Sequence, residues 1–175
     1  MNKQIKTLLT ILSVCIVSSL LSGCGSVEET ICKETYGQNR NGLVYLPNQQ
    51  EPFTGKNLCK YENGQKMVEG NYKDGELDGK WTEWFWSGQK KIELYFKDGT
   101  PDGKFTLWHG NGQKFKEGKS KDGKKYGKFT KWYPDGQKMA EENYKNDKED
   151  GKWTWWYENG QIKKEENWKD GRQVD

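Results

Sequence analysis

Glutamate returns at positions 69, 93, 117, 141 and 165, at one constant interval, and paired carboxylates are the equipment of glycoside hydrolysis. The chain has one histidine, His109, the residue type best suited to moving protons near neutral pH. The turns DGELDG (74–79) and DGTPDG (98–103) gather carboxylates in a way that suggests calcium, and Cys32 and Cys59 are soft-metal ligand types. None of these makes a site. An active centre is built once, whereas the glutamates recur in every cycle beside lysine, as on a solvated strand face. His109 occupies a column otherwise filled by Phe85, Tyr133 and Tyr157, the place of a packing side chain. The Asp-Gly turns lack the D-x-[DN]-x-[DN]-G spacing and distal glutamate of a calcium loop. Cys32 and Cys59 have no third or fourth soft ligand. The expectation is therefore no enzymatic activity, no catalytic residue, no cofactor and no metal.

The elements that would position these residues follow from an internal repeat. Asn63-Gly64, Ser87-Gly88, Asn111-Gly112, Asp135-Gly136 and Asn159-Gly160 are evenly spaced with the same period as the glutamates, each followed by Gln. A second glycine series, Gly55, Gly79, Gly103, Gly127 and Gly151, is followed each time by Lys. Five units thus fill 55–175, and all nine tryptophans lie inside them. Each unit reads as one β-hairpin: GKWTEWFW is rich in strand formers, Ser-Gly or Asn-Gly suits a tight hairpin turn, and QKKIELYFK returns. A two-residue turn at Ser87-Gly88 predicts Trp86 opposite Gln89, Phe85 opposite Lys90, Trp81 opposite Leu94 and Gly79 opposite Phe96. The same arithmetic sets Tyr72 against Gly55, Tyr144 against Gly127 and Trp168 against Gly151, with Ser120 against Gly103 as the exception. Aromatic rings covering cross-strand glycines would explain that pattern.

The predicted fold is all-β: an elongated, twisted, single-layer antiparallel sheet of tandem 24-residue β-hairpin repeats. Alternation along the strands puts Trp81, Phe105, Phe129 and Trp153 on one face with Ile92 and Leu94. Lys80, Thr82, Trp84, Glu93 and Tyr95 fall on the other. Stacked rings, each meeting its counterpart in the next hairpin, would then replace an oily interior. Trp84, Trp108, Trp132 and Trp156 stand on the more polar face and are the candidate binding residues, since aromatics ringed by polar groups suit protein or glycan contact. Lys119, Lys121, Lys124, Lys125, Lys128 and Lys131 are read as a solvated edge that discourages aggregation.

Residues 1–23 are of another kind. Lys3 and Lys6 precede a 15-residue apolar run that closes on Leu21-Ser22-Gly23-Cys24, the layout of a secretory leader. The LSGC ending resembles the lipobox of bacterial lipoproteins, which implies cleavage before Cys24 and a diacylglyceryl group on its sulfur. Gly25 and Ser26 follow with no Asp, so an outer membrane is the expected destination in a bacterium with two membranes. Without residues 1–23 the chain carries 27 basic and 26 acidic residues, a net charge of +1. A mixed surface of that kind argues against nucleic acid, which needs a basic patch or stripe. Cys32 and Cys59 would lie outside the cytoplasm, where disulfides persist, and are expected to pair. That bridge would staple a tether and cap (24–54) to the first unit, a constraint of about 3 kcal/mol.

The unit GKWTxWYxNGQxxxE…YKDG resembles the MORN-repeat variant of bacterial proteins often described as antitoxin-like, over residues 55–175. The resemblance implies an elongated antiparallel meander with a binding or scaffolding role, and no catalytic residue. A weaker resemblance is to aromatic cell-wall-binding repeats of the choline-binding kind, whose units are shorter and begin differently. The expected function is a lipid-anchored, non-catalytic protein-binding or scaffold module at the cell envelope. The alternatives are a cell-wall glycan binder that uses the tryptophan ladder, and an antitoxin- or immunity-like protein.

Overall fold

The computed structural model describes residues 30–175; the expected leader and Cys24 lie outside the described residues. The chain opens with β1 (Thr30–Ile31), a single helical turn α1 (Lys33–Tyr36), and a small hairpin of β2 (Gln38–Arg40) and β3 (Leu43–Tyr45). The repeats follow as β4 (Gly55–Lys60), β5 (Lys66–Lys73), β6 (Glu76–Trp84), β7 (Lys90–Lys97), β8 (Thr100–Pro101) and β9 (Gly103–Trp108). They continue as β10 (Lys114–Lys121), β11 (Lys124–Trp132), β12 (Lys138–Lys145), β13 (Lys148–Glu149), β14 (Gly151–Trp156), β15 (Ile162–Lys169) and β16 (Arg172–Val174). From β4 to β16 the strands pair antiparallel in chain order in one 14-stranded sheet, an open meander in which the two-residue strands β8 and β13 pair only with β7 and β12, so β7 also pairs β9 and β12 also pairs β14. The expected hairpin array is therefore present. The one parallel pairing among the described residues is at the cap, where β1 runs beside β4.

The two turn types exchange the roles expected of them. Asp74-Gly75 and its equivalents both take positive φ (50° and 82°) and close a two-residue loop, with Lys73 paired to Glu76. That is the type I′ geometry preferred for right-twisted hairpins. At Ser87-Gly88 only the glycine has positive φ, 83°. Gly88 N–H donates to Phe85 O and Phe85 N–H to Gln89 O, both at 2.8 Å, a three-residue loop of a type I turn followed by a left-handed glycine. Phe85 therefore faces Gln89, not Lys90, and Trp86 sits within the loop. Trp84 pairs with Lys90, and a bulge at Lys91 restores the expected register at Glu83–Ile92, Trp81–Leu94 and Gly79–Phe96.

The other glycine pairings also stand, at Gly55–Tyr72, Gly103–Ser120, Gly127–Tyr144 and Gly151–Trp168. Their cause is different from ring cover. A Cβ at Gly79 or Gly127 would meet nothing within 4 Å, so no ring lies there. Glycine is required because φ is 78° and 76° at these positions. Each sits where the pairing with the previous hairpin slips by two residues, from Asn71–Asp78 to Glu69–Thr82 in the first case. This bulge bends the sheet once per repeat.

The aromatic interior is two clusters, not one continuous ladder. Tyr72 packs with Ile31, Val44, Leu46 and Phe53 of the cap, with Trp81 at its margin. Phe129, Tyr144 and Trp153 form the second cluster, with Phe105, Trp155 and Trp168 against it. Ring centroids run 5.3 Å from Phe105 to Phe129, 4.9 Å on to Tyr144, 5.2 Å to Trp153 and 5.7 Å to Trp168. Burial in the first cluster pushes the Tyr72 hydroxyl up to about 12. The cap joins the array through its backbone: Val44 N–H donates to Gly75 O and Gly75 N–H to Phe53 O, at 2.9 and 2.8 Å. Cys32 and Cys59 form a disulfide, Sγ–Sγ 2.11 Å, which ties the cap to β4 and removes both thiolates from any ligand set.

Candidate polar-face surface

The face opposite the ring clusters is built from the same few residues in every unit. Thr82, Thr106, Thr130 and Thr154 are buried down its centre. Glutamates flank them as direct cross-strand partners: Thr82 lies between Glu69 and Glu93. Glu69, Glu93 and Glu141 each meet lysines from two directions, whereas Glu117 and Glu165 pair with one each. Glu69 accepts Lys56 and Lys66 at 2.6 Å each, Glu93 accepts Lys80 at 2.9 Å and Lys90 at 2.8 Å, and Glu141 accepts Lys138 at 2.7 Å and Lys128 at 3.5 Å. Hydrogen bonds from Lys56 and Lys66 hold the Glu69 carboxyl below its ordinary range, and Lys138 does the same for Glu141. At Glu93 burial works the other way, and Lys90 with Lys80 outweighs it. A carboxylate whose folded pKa is depressed stabilises the fold above the unfolded value, near 4.3–4.5, and loses that contribution as pH falls through the folded one. Stability should therefore be flat from pH 7 to about 5 and decline below it. Urea unfolding at pH 7, 4.5 and 3 would show this, and Glu69→Gln with Glu141→Gln should flatten the decline.

The four candidate tryptophans belong to this network. Trp84, Trp108, Trp132 and Trp156 are half-buried, and each carries a lysine ammonium of the preceding hairpin over its ring. Lys66, Lys90, Lys114 and Lys138 stand 5.4, 5.6, 5.6 and 5.8 Å from the respective centroids, within cation–π reach. The same four lysines bind the glutamates, so ring, ammonium and carboxylate form one unit that recurs along the sheet. An open groove of about 410 Å³ runs beside Trp84, between Lys56, Glu69, Lys80 and Lys90. The most exposed indole is Trp86 in the turn, against Tyr61 at 5.1 Å. It lies outside the column that the strand alternation singles out.

The turn ends have their own ladder. Tyr61 Oη–H donates to Trp84 O at 2.6 Å and Tyr133 Oη–H to Trp156 O at 2.9 Å. His109 Nε2 takes the same place, 3.0 Å from Trp132 O; since a carbonyl only accepts, the ring donates from Nε2. The histidine is thus a tyrosine substitute with a hydrogen bond of its own, and its ring rests on Phe115 at 5.0 Å. Phe85 has no hydroxyl with which to reach Trp108 O. Phe85→Tyr should supply that bond and raise stability by about 1 kcal/mol, measured as a shift of the urea midpoint. Gln65, Gln89, Gln113 and Gln137 likewise support the next turn, each beside its glycine, which accounts for the repeated Gln. The basic residues of the third and fourth units separate: Lys125 lies over Tyr144 at 4.5 Å, and Lys131 pairs with buried Glu142 at 2.5 Å. Lys119 and Lys128 stand on the polar face.

Such an open array, with a repeating polar surface on one side and packed rings on the other, is the architecture of a β-hairpin repeat protein. The MORN repeat variant matches residues 53–74, 77–98, 125–146 and 149–170, half of the chain, which belongs to that family. The third unit, residues 101–122, is unmatched; it carries His109 and Ser120 where its neighbours have tyrosine or another aromatic. No curated protein matches the chain in sequence. Repeats of this family suit a binding module.

Proposed function

We propose that the chain is a lipoprotein, anchored through Cys24 at the cell envelope, whose repeats act as a non-catalytic binding or scaffold module for a protein partner. The observation that carries this reading is the polar face: a half-buried tryptophan, the lysine over its ring and the glutamate that lysine binds, recurring four times along the sheet. Exposed surfaces with aromatics set among charged groups suit macromolecular contact. The alternative of a glycan binder is less well supported, because each ring of the Trp84 column already has an ammonium over it. The leader, with Leu21-Ser22-Gly23-Cys24, supports export and acylation.

The test uses the full chain in intact cells, with a photo-crosslinking residue at position 80 or 152, exposed on the polar face, and at 129 as a buried control. One defined protein captured from the polar face and not from 129 is expected. Recovery of lipid and random neighbours alone would sink the reading. Labelled glycerol or palmitate should be incorporated and lost in Cys24→Ser. Retention on purified cell wall that falls in Trp108→Ala with Trp132→Ala would favour the glycan alternative.

A further inference from the structure

The third unit breaks the charge pattern of the polar face at one place. In the other units the lysine after the bulge glycine bridges the glutamate column, as Lys56–Glu69, Lys80–Glu93, Lys128–Glu141 and Lys152–Glu165 do. Lys104 makes no such pair among the described residues, and Glu117 is held by Lys114 alone, at 2.7 Å. Directly across from Lys104 stands Lys119, where the other units have Asn71, Tyr95, Asn143 and Asn167. Like charges directly opposite on a sheet are destabilising. A third ammonium shares this face: Asn71 and Lys80, the residues at the places of Lys119 and Lys128, line one groove beside Trp84, although the bulge between Glu117 and Ser120 shifts the strand register here. Lys104, Lys119 and Lys128 are all exposed. Beside them is Tyr95, 38% exposed, whose Cβ lies against the Gly103 backbone.

We infer that Lys104, Lys119 and Lys128 form a docking site for an acidic segment of a partner protein. The argument is one of charge complementarity. Everywhere else on this face a lysine in the Lys104 position is completed by a carboxylate, and here three adjacent strands present ammoniums with only one long bridge, Lys128–Glu141 at 3.5 Å. Carboxylates from a partner would supply what the neighbouring units supply internally, while Tyr95 offers apolar contact beside them. The unit that carries the break is also the one that departs from the family pattern. The inference deepens the reading of the polar face as a protein-contact surface and rests on it.

The test probe is decaglutamate, titrated into the folded protein at low salt and followed by amide NMR. The largest shifts should map to residues 104, 119 and 128, with little change in the first and last units, and binding should weaken as salt screens it. Lys119→Asn should lower affinity about fivefold, the ~1 kcal/mol of one ion pair in water. Lys104→Gln with Lys119→Asn should lower it about 25-fold, and Lys152→Gln should change it less than twofold. Lys119→Asn should at the same time raise the urea midpoint, because it removes the like-charge pair; a loss of affinity through misfolding would lower it. Shifts spread evenly over the sheet, or unchanged affinity in Lys119→Asn, would overturn the inference. Tighter binding to phosphatidylglycerol vesicles than to decaglutamate through the same lysines would overturn it in favour of a membrane surface. Localised decaglutamate binding together with failed capture in cells would leave this site standing and remove the scaffold reading.

Discussion

Phe129→Ala should lower the unfolding free energy by about 4 kcal/mol, more than any other single ring removal on the sheet. Phe129 is 1% exposed and is among the largest fully buried side chains of the described residues. It touches Phe105 and Tyr144, and it fills the space over Gly118, where an added Cβ would come within 2.7 Å of the ring. Truncating such a ring forfeits its transfer energy and leaves a cavity, together about 3–5 kcal/mol. Trp86, 52% exposed in its turn, gives the contrast: Trp86→Ala should stay within about 0.5 kcal/mol. Location matters as much as size. In a repeat array each unit leans on its neighbours alone, and the two ring clusters share no buried member. Hydrogen exchange of Phe129→Ala should therefore accelerate over residues 124–169 while residues 43–73 keep their protection. Uniform loss of protection would mean that the clusters are one cooperative core.

What the residue pattern reveals, and what it conceals, follows from the physics of each feature. A 24-residue period with paired glycines leaves a hairpin as the one element that fits, and the pairings Gly79–Phe96 and Trp81–Leu94 follow from counting. Turn geometry does not follow in the same way. Asn-Gly and Asp-Gly both tolerate two positive φ values, and which turn uses both depends on the residues the neighbouring strands leave in the loop. The slip from Asn71–Asp78 to Glu69–Thr82 is concealed because a two-residue bulge preserves side-chain alternation, so the face assignments survive it. The lysine over each tryptophan comes from the preceding hairpin, for example Lys66 over Trp84. Strand alternation alone says nothing about where a long flexible side chain ends. The cap is the least legible part. Residues 30–54 lie outside the repeat, and the parallel pairing of Thr30–Ile31 with Lys56–Asn57 has no local signature.

The charge balance carries a related lesson. Near-neutral composition suggests an evenly mixed surface, yet charge on a sheet sorts by parity of position. Lys56, Lys80, Lys104, Lys128 and Lys152 share a face with Glu69, Glu93, Glu117, Glu141 and Glu165, and Lys66, Lys90, Lys114, Lys138 and Lys119 are added to it. The polar face is basic, with twice as many lysines as glutamates in these columns, although the chain as a whole is nearly neutral.

Lys131→Ala should cost about 3 kcal/mol, the second large effect, and its origin is opposite to that of Phe129→Ala. Lys131 reaches across the ring face to Glu142, whose side chain is 4% exposed, and Tyr144 Oη–H donates to the same carboxylate at 3.0 Å. Burial, reinforced by the Glu142 charge, holds the Tyr144 hydroxyl protonated far above its usual range, so it stays a donor. Removing Lys131 leaves Glu142 in the interior with the Tyr144 hydroxyl and only the longer-range charge of Lys116, and breaking a buried pair costs about 3–5 kcal/mol. The lower end applies because Lys131 is 28% exposed, so water already screens part of the pair. The pair itself contributes much less than this loss suggests. Leucine stands at the equivalent places in other units, Leu107 for Lys131 and Leu94 for Glu142, so the array accepts apolar side chains at both. Lys131→Leu with Glu142→Leu and Tyr144→Phe should return to within about 1 kcal/mol of the natural chain or exceed it. A double-mutant cycle between positions 131 and 142 should show a coupling of about 2 kcal/mol. If Lys131→Ala costs no more than Lys128→Ala, whose glutamate is partly exposed at 3.5 Å, burial of Glu142 is not what makes the pair matter.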